Sequence, residues 1–197
     1  MSKTLKTTRW KWIVCFLVMA SLSASVQGQQ SRSLSVAFQA ESISIPFTRI
    51  APIHPGVEVG VMITETVKAH SKRRWNVYAG WFQHQQIDQN FYLRGEYQFA
   101  YSLWETIGIQ VPVGLGYLHS FHSEPVYEQL ADGSFEEKTQ WGKARAILNT
   151  GVGLSYLKLN SIEPFVKYEL MVQSPFVSTV PAGPRTFLKI GANLKIN

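Results

Sequence analysis

Residues 119–124 hold the side-chain types that nucleophilic catalysis needs. The segment reads His119-Ser120-Phe121-His122-Ser123-Glu124, so a base, a hydroxyl nucleophile and a carboxylate stand close together in the chain. Such a set could hydrolyse an ester if the histidine faced the serine. However, His119 and Ser120 are adjacent in an alternating segment, and successive side chains of a strand point to opposite faces. We therefore predict no catalysis here; a lipid esterase that uses His119, Ser120 and Glu124 is the alternative.

The histidines also raise the question of a metal site. His119 and His122 could each offer a nitrogen ligand to zinc, but no convincing third ligand stands near them in the chain. His54, His70 and His84 fall in loops or at strand ends. The sequence therefore predicts neither a metal nor a cofactor.

A second group of reactive side chains consists of charges at alternate positions within otherwise apolar segments. In the segment 91–101, for example, Arg94 and Glu96 share one face. Acids and bases held together in an interior pair, because an unpaired buried charge costs several kcal/mol. The predicted interior network contains Glu41, Glu58, Arg94, Glu96, Arg145, Lys167, Glu169 and Lys189. We interpret this network as a plug that holds the interior closed. Because inward glycines such as Gly60 and Gly151 leave space, a narrow channel for ions or a small solute is the alternative.

Strands must position these charges, and the last segment shows the pattern best. Thr186, Leu188, Ile190, Ala192, Leu194 and Ile196 fall on one face, and the residues between them, including Lys189 and Lys195, fall on the other. Side chains of a strand alternate between its faces, so this segment has one apolar face and one polar face.

Eight such segments follow one another, separated by loops rich in proline, glycine or charge. They cover about 34–44, 57–64, 75–81, 91–101, 106–121, 144–156, 162–173 and 186–197. A soluble lipocalin-like barrel would show the same alternation, but its core would not hold so many charges. The pattern therefore predicts an all-β fold, an eight-stranded antiparallel up-and-down transmembrane β-barrel with lipid outside and a polar interior. The expected connections include a basic turn over 68–74, a polar turn over 88–90, and loops over 46–56, 122–142 and 175–184.

Aromatic residues near the ends of these segments predict two interfacial girdles. With the N-terminus in the periplasm, Trp75, Trp104 and Tyr156 lie near the periplasmic interface. Trp81 and Tyr117 then lie near the outer one. Amphipathic rings favour both headgroup levels of a bilayer.

The first 28 residues predict a cleavable signal peptide. Four basic residues precede an apolar run over 12–20, which is shorter than the roughly 20 residues of a spanning helix. Cleavage after Gly28 leaves a barrel domain over 29–197 and removes Cys15, the only cysteine. The formal net charge then falls from +6 to +2, so general basicity does not indicate nucleic-acid binding. Retention of the segment as an anchor is the alternative.

Residues 33–197 resemble the small eight-stranded outer-membrane β-barrels of Gram-negative bacteria, the OmpA/OmpX-like, porin-family barrels. The resemblance rests on the export signal, the strand count and the alternation rather than on a fixed motif. It implies a monomer in the cell outer membrane, in contact with lipid and lipopolysaccharide and inserted by the barrel assembly machinery. The ending Lys195-Ile196-Asn197 departs from the aromatic last residue of many members.

The same resemblance implies a structural or adhesive role, with outer loops that could bind an extracellular ligand. A narrow channel and a lipid A-modifying hydrolase are the alternatives. Lipid A deacylase barrels are similar in size, but their histidine and serine are one residue apart on the same strand face. His119 and Ser120 do not match that pattern.

Overall fold

The computed structural model describes residues 32–42, 53–84, 87–122, 126–129, 133–138, 141–176 and 180–196 of the 197-residue chain. The expected signal peptide (1–28) and Glu124 lie outside the described residues. Within the described ranges, no helix is long and apolar enough to cross a membrane.

The described residues form ten strands. They are β1 (Arg32–Ser42), β2 (His54–Val67), β3 (Ser71–His84), β4 (Asp88–Ser102), β5 (Ile107–His122), β6 (Val126–Gln129), β7 (Phe135–Lys138), β8 (Lys143–Tyr156), β9 (Ile162–Ser174) and β10 (Gly183–Ile196).

Eight of these strands close into a barrel. Their order is β1-β10-β9-β8-β5-β4-β3-β2, and all neighbours are antiparallel. β1 closes the barrel by pairing with β10 from Arg32↔Ile196 to Ser42↔Thr186, so no barrel edge is left for another chain to pair with. The predicted eight-stranded antiparallel barrel is confirmed.

The two remaining strands, β6 and β7, pair only with each other. They lie within the connection between β5 and β8, where the sequence predicts one long loop. This hairpin contains the run Phe135-Glu136-Glu137-Lys138. Its consecutive charges do not alternate with apolar residues, and the alternation therefore gives no signal for it.

The barrel has two distinct ends. The terminal end is where β1 begins and β10 ends, and it carries the short connections 68–70, 103–106 and 157–161. The loop end carries the connections 43–53, 85–87, 123–142 and 175–182. Three of the four loop-end connections are longer than any at the terminal end, as the sequence predicts.

Side chains alternate between the barrel interior and its outer surface as predicted. On β2, Val57 and Val59 are 51% and 49% exposed, whereas Glu58 between them is 2% exposed. The same alternation continues on the other barrel strands, with charged and amide side chains turned inward.

Several strands extend further than the apolar alternation indicates. Arg74, predicted in a basic turn, is buried inside β3, which begins at Ser71. Asp88 and Asn90, predicted in a polar turn, are buried at the start of β4. β10 begins at Gly183 and therefore carries Arg185 inward. The backbone ladder continues past the apolar positions, so polar residues at strand ends also enter the interior.

Inward glycines stand opposite the largest inward side chains. The paired positions are Gly60↔Tyr78, Gly80↔Tyr92, Gly116↔Arg94, Gly114↔Glu96, Gly151↔Glu169 and Gly153↔Lys167. A Cβ on Gly151, for example, would collide with the carbonyl oxygen of Tyr168 and with Glu169. The interpretation that these glycines leave room for a channel is therefore wrong, because the side chain across the ladder takes the space.

This packing predicts a loss of stability for one glycine substitution and little effect for another. Gly151→Ala should lower the free energy of unfolding by about 1–3 kcal/mol, the usual cost of overpacking an interior. Gly95→Ala is the matched control, because a Cβ there meets nothing within 4 Å. Urea titration of both variants, refolded into lipid vesicles, measures the difference. Equal stabilities would contradict the proposed glycine–side chain complementarity.

Candidate functional site

The barrel interior carries a balanced set of buried charges. Among the described residues, six acidic and six basic side chains are buried. All eight residues of the predicted network are among them. The other four are Arg74, Asp88, Glu163 and Arg185. Because each sign occurs equally often, every interior charge can have an opposite partner, and their arrangement divides into three clusters along the barrel.

The central cluster consists of Glu58, Arg94, Glu96, Lys167, Glu169 and Lys189. Arg94 contacts three carboxylates, at 2.8 Å from Glu58, 3.0 Å from Glu96 and 2.7 Å from Glu169. A guanidinium presents five N–H donors in a fixed plane, so it can bind several carboxylates together. Arg94 is therefore the hub that joins strands β2, β4 and β9.

Two lysines complete the central cluster. Lys189 Nζ lies 2.8 Å from carboxylate oxygens of both Glu58 and Glu169. Lys167 Nζ lies 3.8 Å from Glu96 and donates a hydrogen bond of 3.2 Å to Gln98. Three cations thus neutralise three carboxylates in the middle of the barrel.

Two tyrosines pack against this cluster. The hydroxyl of Tyr92 donates to Glu58 at 2.5 Å and also lies 3.0 Å from Gln39 Oε1. The ring of Tyr78 lies 5.0 Å from the Arg94 guanidinium carbon, within cation–π distance. Both rings fill the volume beside the ion pairs, and both stand opposite glycines.

The terminal cluster is centred on Arg74. Its guanidinium binds Glu163 through two nitrogens, at 2.9 and 2.7 Å, and its Nε donates to Glu65 at 2.7 Å. Gln110 adds a donor to Glu163 at 3.1 Å. The paired arrangement on Glu163 is the strong bidentate form of this interaction.

The mouth cluster occupies the loop end and contains Glu41, Asp88 and Arg185. Arg185 donates to Glu41 at 3.0 Å and to Asp88 at 2.5 Å. Asn90 donates to Asp88 at 2.8 Å. Arg145, the remaining predicted network member, donates to Gln173 at 2.8 Å.

An apolar layer separates the mouth cluster from the central cluster. It comprises Phe82, Leu118, Ile147, Met171 and Phe187, together with the ring of Tyr92. The Phe82 and Phe187 rings meet edge to face at 5.0 Å. Arg185 stacks on Phe82 from the mouth side at 5.3 Å, and Lys189 approaches Phe187 at 5.6 Å from the central cluster. These buried side chains form an apolar constriction between the two charged clusters.

Four interior charges lie outside the predicted network, and three of them share one cause. Arg74 and Asp88 fall in predicted turns, and Arg185 falls between a predicted loop and the last predicted strand. Extending the two-residue alternation beyond the apolar positions places these three inward. Glu163 already stands on the polar face of the predicted seventh strand, but its partner Arg74 falls in a predicted turn.

The predicted catalytic candidates do not form a catalytic pair in the structure. Ser120 is buried inside the barrel, and its hydroxyl donates to Asn90 at 2.5 Å. His119 points outward, where its ring nitrogens lie 2.7 Å from the Tyr117 hydroxyl and 2.8 Å from the Trp141 carbonyl oxygen. The two side chains are thus on opposite faces of β5.

The predicted girdle aromatics lie on the outer surface or in turns. Trp104 is in the terminal-end connection, Tyr156 ends β8, and Trp75 packs beside Tyr97 at 5.0 Å in the terminal half of β3. Trp81 and Tyr117 lie nearer the loop end, where they pair with Phe91 and Leu93 of β4. Their interfacial role stays a prediction.

Comparison with solved structures finds similar barrels. Neisserial surface protein A matches with a TM-score of 0.54 and 11% identity, over 84% of this chain and 96% of that one. The outer membrane enzyme PagL matches with a TM-score of 0.49 and 10% identity, over 83% and 99% of the two chains. Ail, the attachment invasion locus protein of Yersinia pestis, gives 0.48 and 10%, over 86% and 100%.

These identities establish likeness of fold alone. The chain has the fold of the small eight-stranded outer-membrane β-barrels, as the sequence predicts. No protein-family model matches the chain. No curated protein sequence matches it either.

The central cluster predicts a large cost for removing its hub. Arg94→Met should lower the free energy of unfolding by about 3–5 kcal/mol, because three buried carboxylates lose their shared cation. Lys158→Met, at an exposed turn position, should change it by less than about 0.5 kcal/mol. Urea titration of refolded protein measures both values. A cost below about 1 kcal/mol for Arg94→Met would mean that the other cations compensate for its loss.

Proposed function

We propose that this chain is an outer-membrane barrel whose outer face contacts lipid. The observation that supports this most directly is the inverted distribution of polarity. Within the described part of the chain, twelve buried charges lie inside, while large apolar side chains are exposed on the outside of every barrel strand. A soluble barrel would expose its charges and bury these apolar groups.

The size of the strands supports the same proposal. The eight barrel strands contain 11 to 16 residues. A tilted strand needs about 9–11 residues to cross the hydrocarbon layer. The exposed apolar residues of β5, Val111, Val113 and Leu115, stand in the middle of that strand. An apolar surface of this extent is stable in acyl chains but not in water.

We propose a structural or adhesive role, with the closed barrel acting as a rigid scaffold for its loop end. The apolar layer and the central cluster obstruct a path along the barrel axis. The loop end carries the β6–β7 hairpin, in which Phe135 is 69% exposed, and near it Trp141 is 86% exposed. Exposed aromatic residues on loops held by a rigid scaffold are suited to binding an extracellular partner.

This proposal includes the route and surroundings that the family resemblance implies. The signal peptide would be removed before Gln29, and the assembly machinery would insert the barrel as a monomer among lipid and lipopolysaccharide. No cofactor and no catalysis are needed for the role.

Heat-modifiable gel mobility and presence in the outer-membrane fraction would support the location, whereas a wholly soluble product would contradict it.

The lipid-facing assignment predicts the effect of a charge on the outer surface. Val111→Lys or Leu148→Lys should destabilise the inserted barrel by about 2–4 kcal/mol, since an ammonium group would enter hydrocarbon. Asn160→Lys, in the exposed terminal-end turn, is the control and should have little effect. Unfolding in urea and the folded fraction on unheated gels measure both. Unchanged insertion of the two belt variants would show that these positions do not meet lipid.

The closed interior predicts that the wild-type protein conducts no discrete current in planar bilayers. An open porin in the same apparatus is the positive control. Discrete steps that fall when Arg94 or Glu96 is neutralised would support the channel alternative instead.

The proposed absence of catalysis is tested by mass spectrometry of lipid A incubated with the refolded protein. Loss of one acyl chain, abolished in His119→Ala, would support the hydrolase alternative.

A further inference from the structure

Three potential metal ligands meet at the loop end of the barrel. Glu41 on β1 pairs directly with His54 on β2, and the next strand, β3, carries His84 at the same level. One ligand atom from each of the three side chains lies within 4.8 Å of the other two. They are far apart in the sequence, and only the barrel register brings them together.

The contacts among the three side chains are close. His84 Nδ1 lies 2.6 Å from Glu41 Oε2. The imidazole rings of His54 and His84 stack in parallel, with centroids 3.7 Å apart and an interplanar angle of 8°. The in-plane nitrogen lone pairs of two parallel rings do not converge, so one ring would turn out of the stack to share a metal with the other. Neutral imidazole is the form that binds a metal.

Neighbouring residues hold the carboxylate in place. Arg185 donates to Oε1 of Glu41 and to Asp88, which leaves Oε2 directed at His84. Arg145, a second buried cation at this end of the barrel, donates to Gln173. Glu41 and Asp88 thus share one directly bonded guanidinium. Such outer contacts orient a metal ligand and tune its affinity.

We propose that Glu41, His54 and His84 form a binding site for a divalent transition metal of the zinc type. Two imidazole nitrogens and one carboxylate oxygen suit Zn²⁺ and related ions, whereas Ca²⁺ and Mg²⁺ prefer oxygen ligands alone. The metal would take the place of the hydrogen bond between His84 and Glu41, with any proton held there passing to Nε2 of His84 or to solvent. Modest widening of that contact would allow metal–ligand bonds of about 2.0–2.2 Å. A fourth position would stay open to water or to an external ligand.

The site goes beyond the scaffold role proposed above and does not depend on the membrane assignment. Bound metal would join β1, β2 and β3 at their loop ends. The free energy of binding would add to the stability of the folded barrel, because the unfolded chain does not hold the three ligands together.

The test uses the full chain, refolded without an oligohistidine tag and treated with a chelator. Titration calorimetry with ZnCl₂ should show one saturable site per chain, and zinc should raise the thermal midpoint, whereas CaCl₂ and MgCl₂ should not. His54→Gln and His84→Gln should each weaken binding by at least about tenfold, because each removes a direct ligand, and loss of even an outer contact costs about 10–100-fold.

His122→Gln and His70→Gln are the matched controls. Both histidines are exposed, His122 at the same end of the barrel and His70 at the opposite end. Each control should bind zinc as the wild type does. Absence of saturable binding, or equal binding by the His54, His84 and control variants, would overturn the proposal.

A measurement on the unmodified protein covers the case in which a variant fails to fold. X-ray absorption of the zinc-loaded wild type should show a nitrogen and oxygen shell with the scattering of two imidazoles. A shell without imidazole, or with a single one, would also overturn the proposal. Glu41→Gln tests the contribution of the carboxylate to zinc binding apart from that of the two histidines. Unheated gel mobility reports whether this variant, which lacks the charge that faces Arg185, still folds into the barrel.

Discussion

The fold depends on the pairing of charges inside a narrow barrel. Six acidic and six basic side chains are buried among the described residues, and Arg94 alone contacts three carboxylates. An eight-stranded barrel has room inside for little more than side chains, so any unbalanced charge would stay desolvated and costly. Charge balance therefore decides which inward residues can coexist, and ion pairs such as Arg94–Glu169 and Arg185–Asp88 join strands that are distant in sequence.

Shape complements this balance. Large inward side chains can cross the barrel because the facing position on a neighbouring strand is glycine, as at Gly116 beside Arg94 and Gly151 beside Glu169. Without that alternation of large and small residues, the same charges could not fit at interior packing density. The facing side chain fills the space beside each of these glycines. The small size of glycine therefore does not leave the lumen open, although in the sequence it suggests free space.

The interior is also layered along the barrel axis. The terminal cluster and the central cluster are followed by the apolar layer, and the mouth cluster lies beyond it. The layer gives the mouth residues surroundings different from those of the central charges. Glu41, His54 and His84 therefore lie at the loop end, separated by the apolar layer from the charges in the middle of the barrel.

The sequence by itself determined the class of fold, the strand count of the barrel and the face of most residues, because a period of two residues is visible locally. It identified, by the same rule, eight of the twelve interior charges that the described residues contain. Strand ends were harder to predict, because backbone pairing continues where apolar alternation stops; Arg74 and Arg185 entered the interior for that reason. Only the tertiary structure decided which charges pair, which glycines are filled and that His54 and His84 meet Glu41. Those relations depend on the register between strands, and register is set by closure of the whole barrel rather than by any single segment.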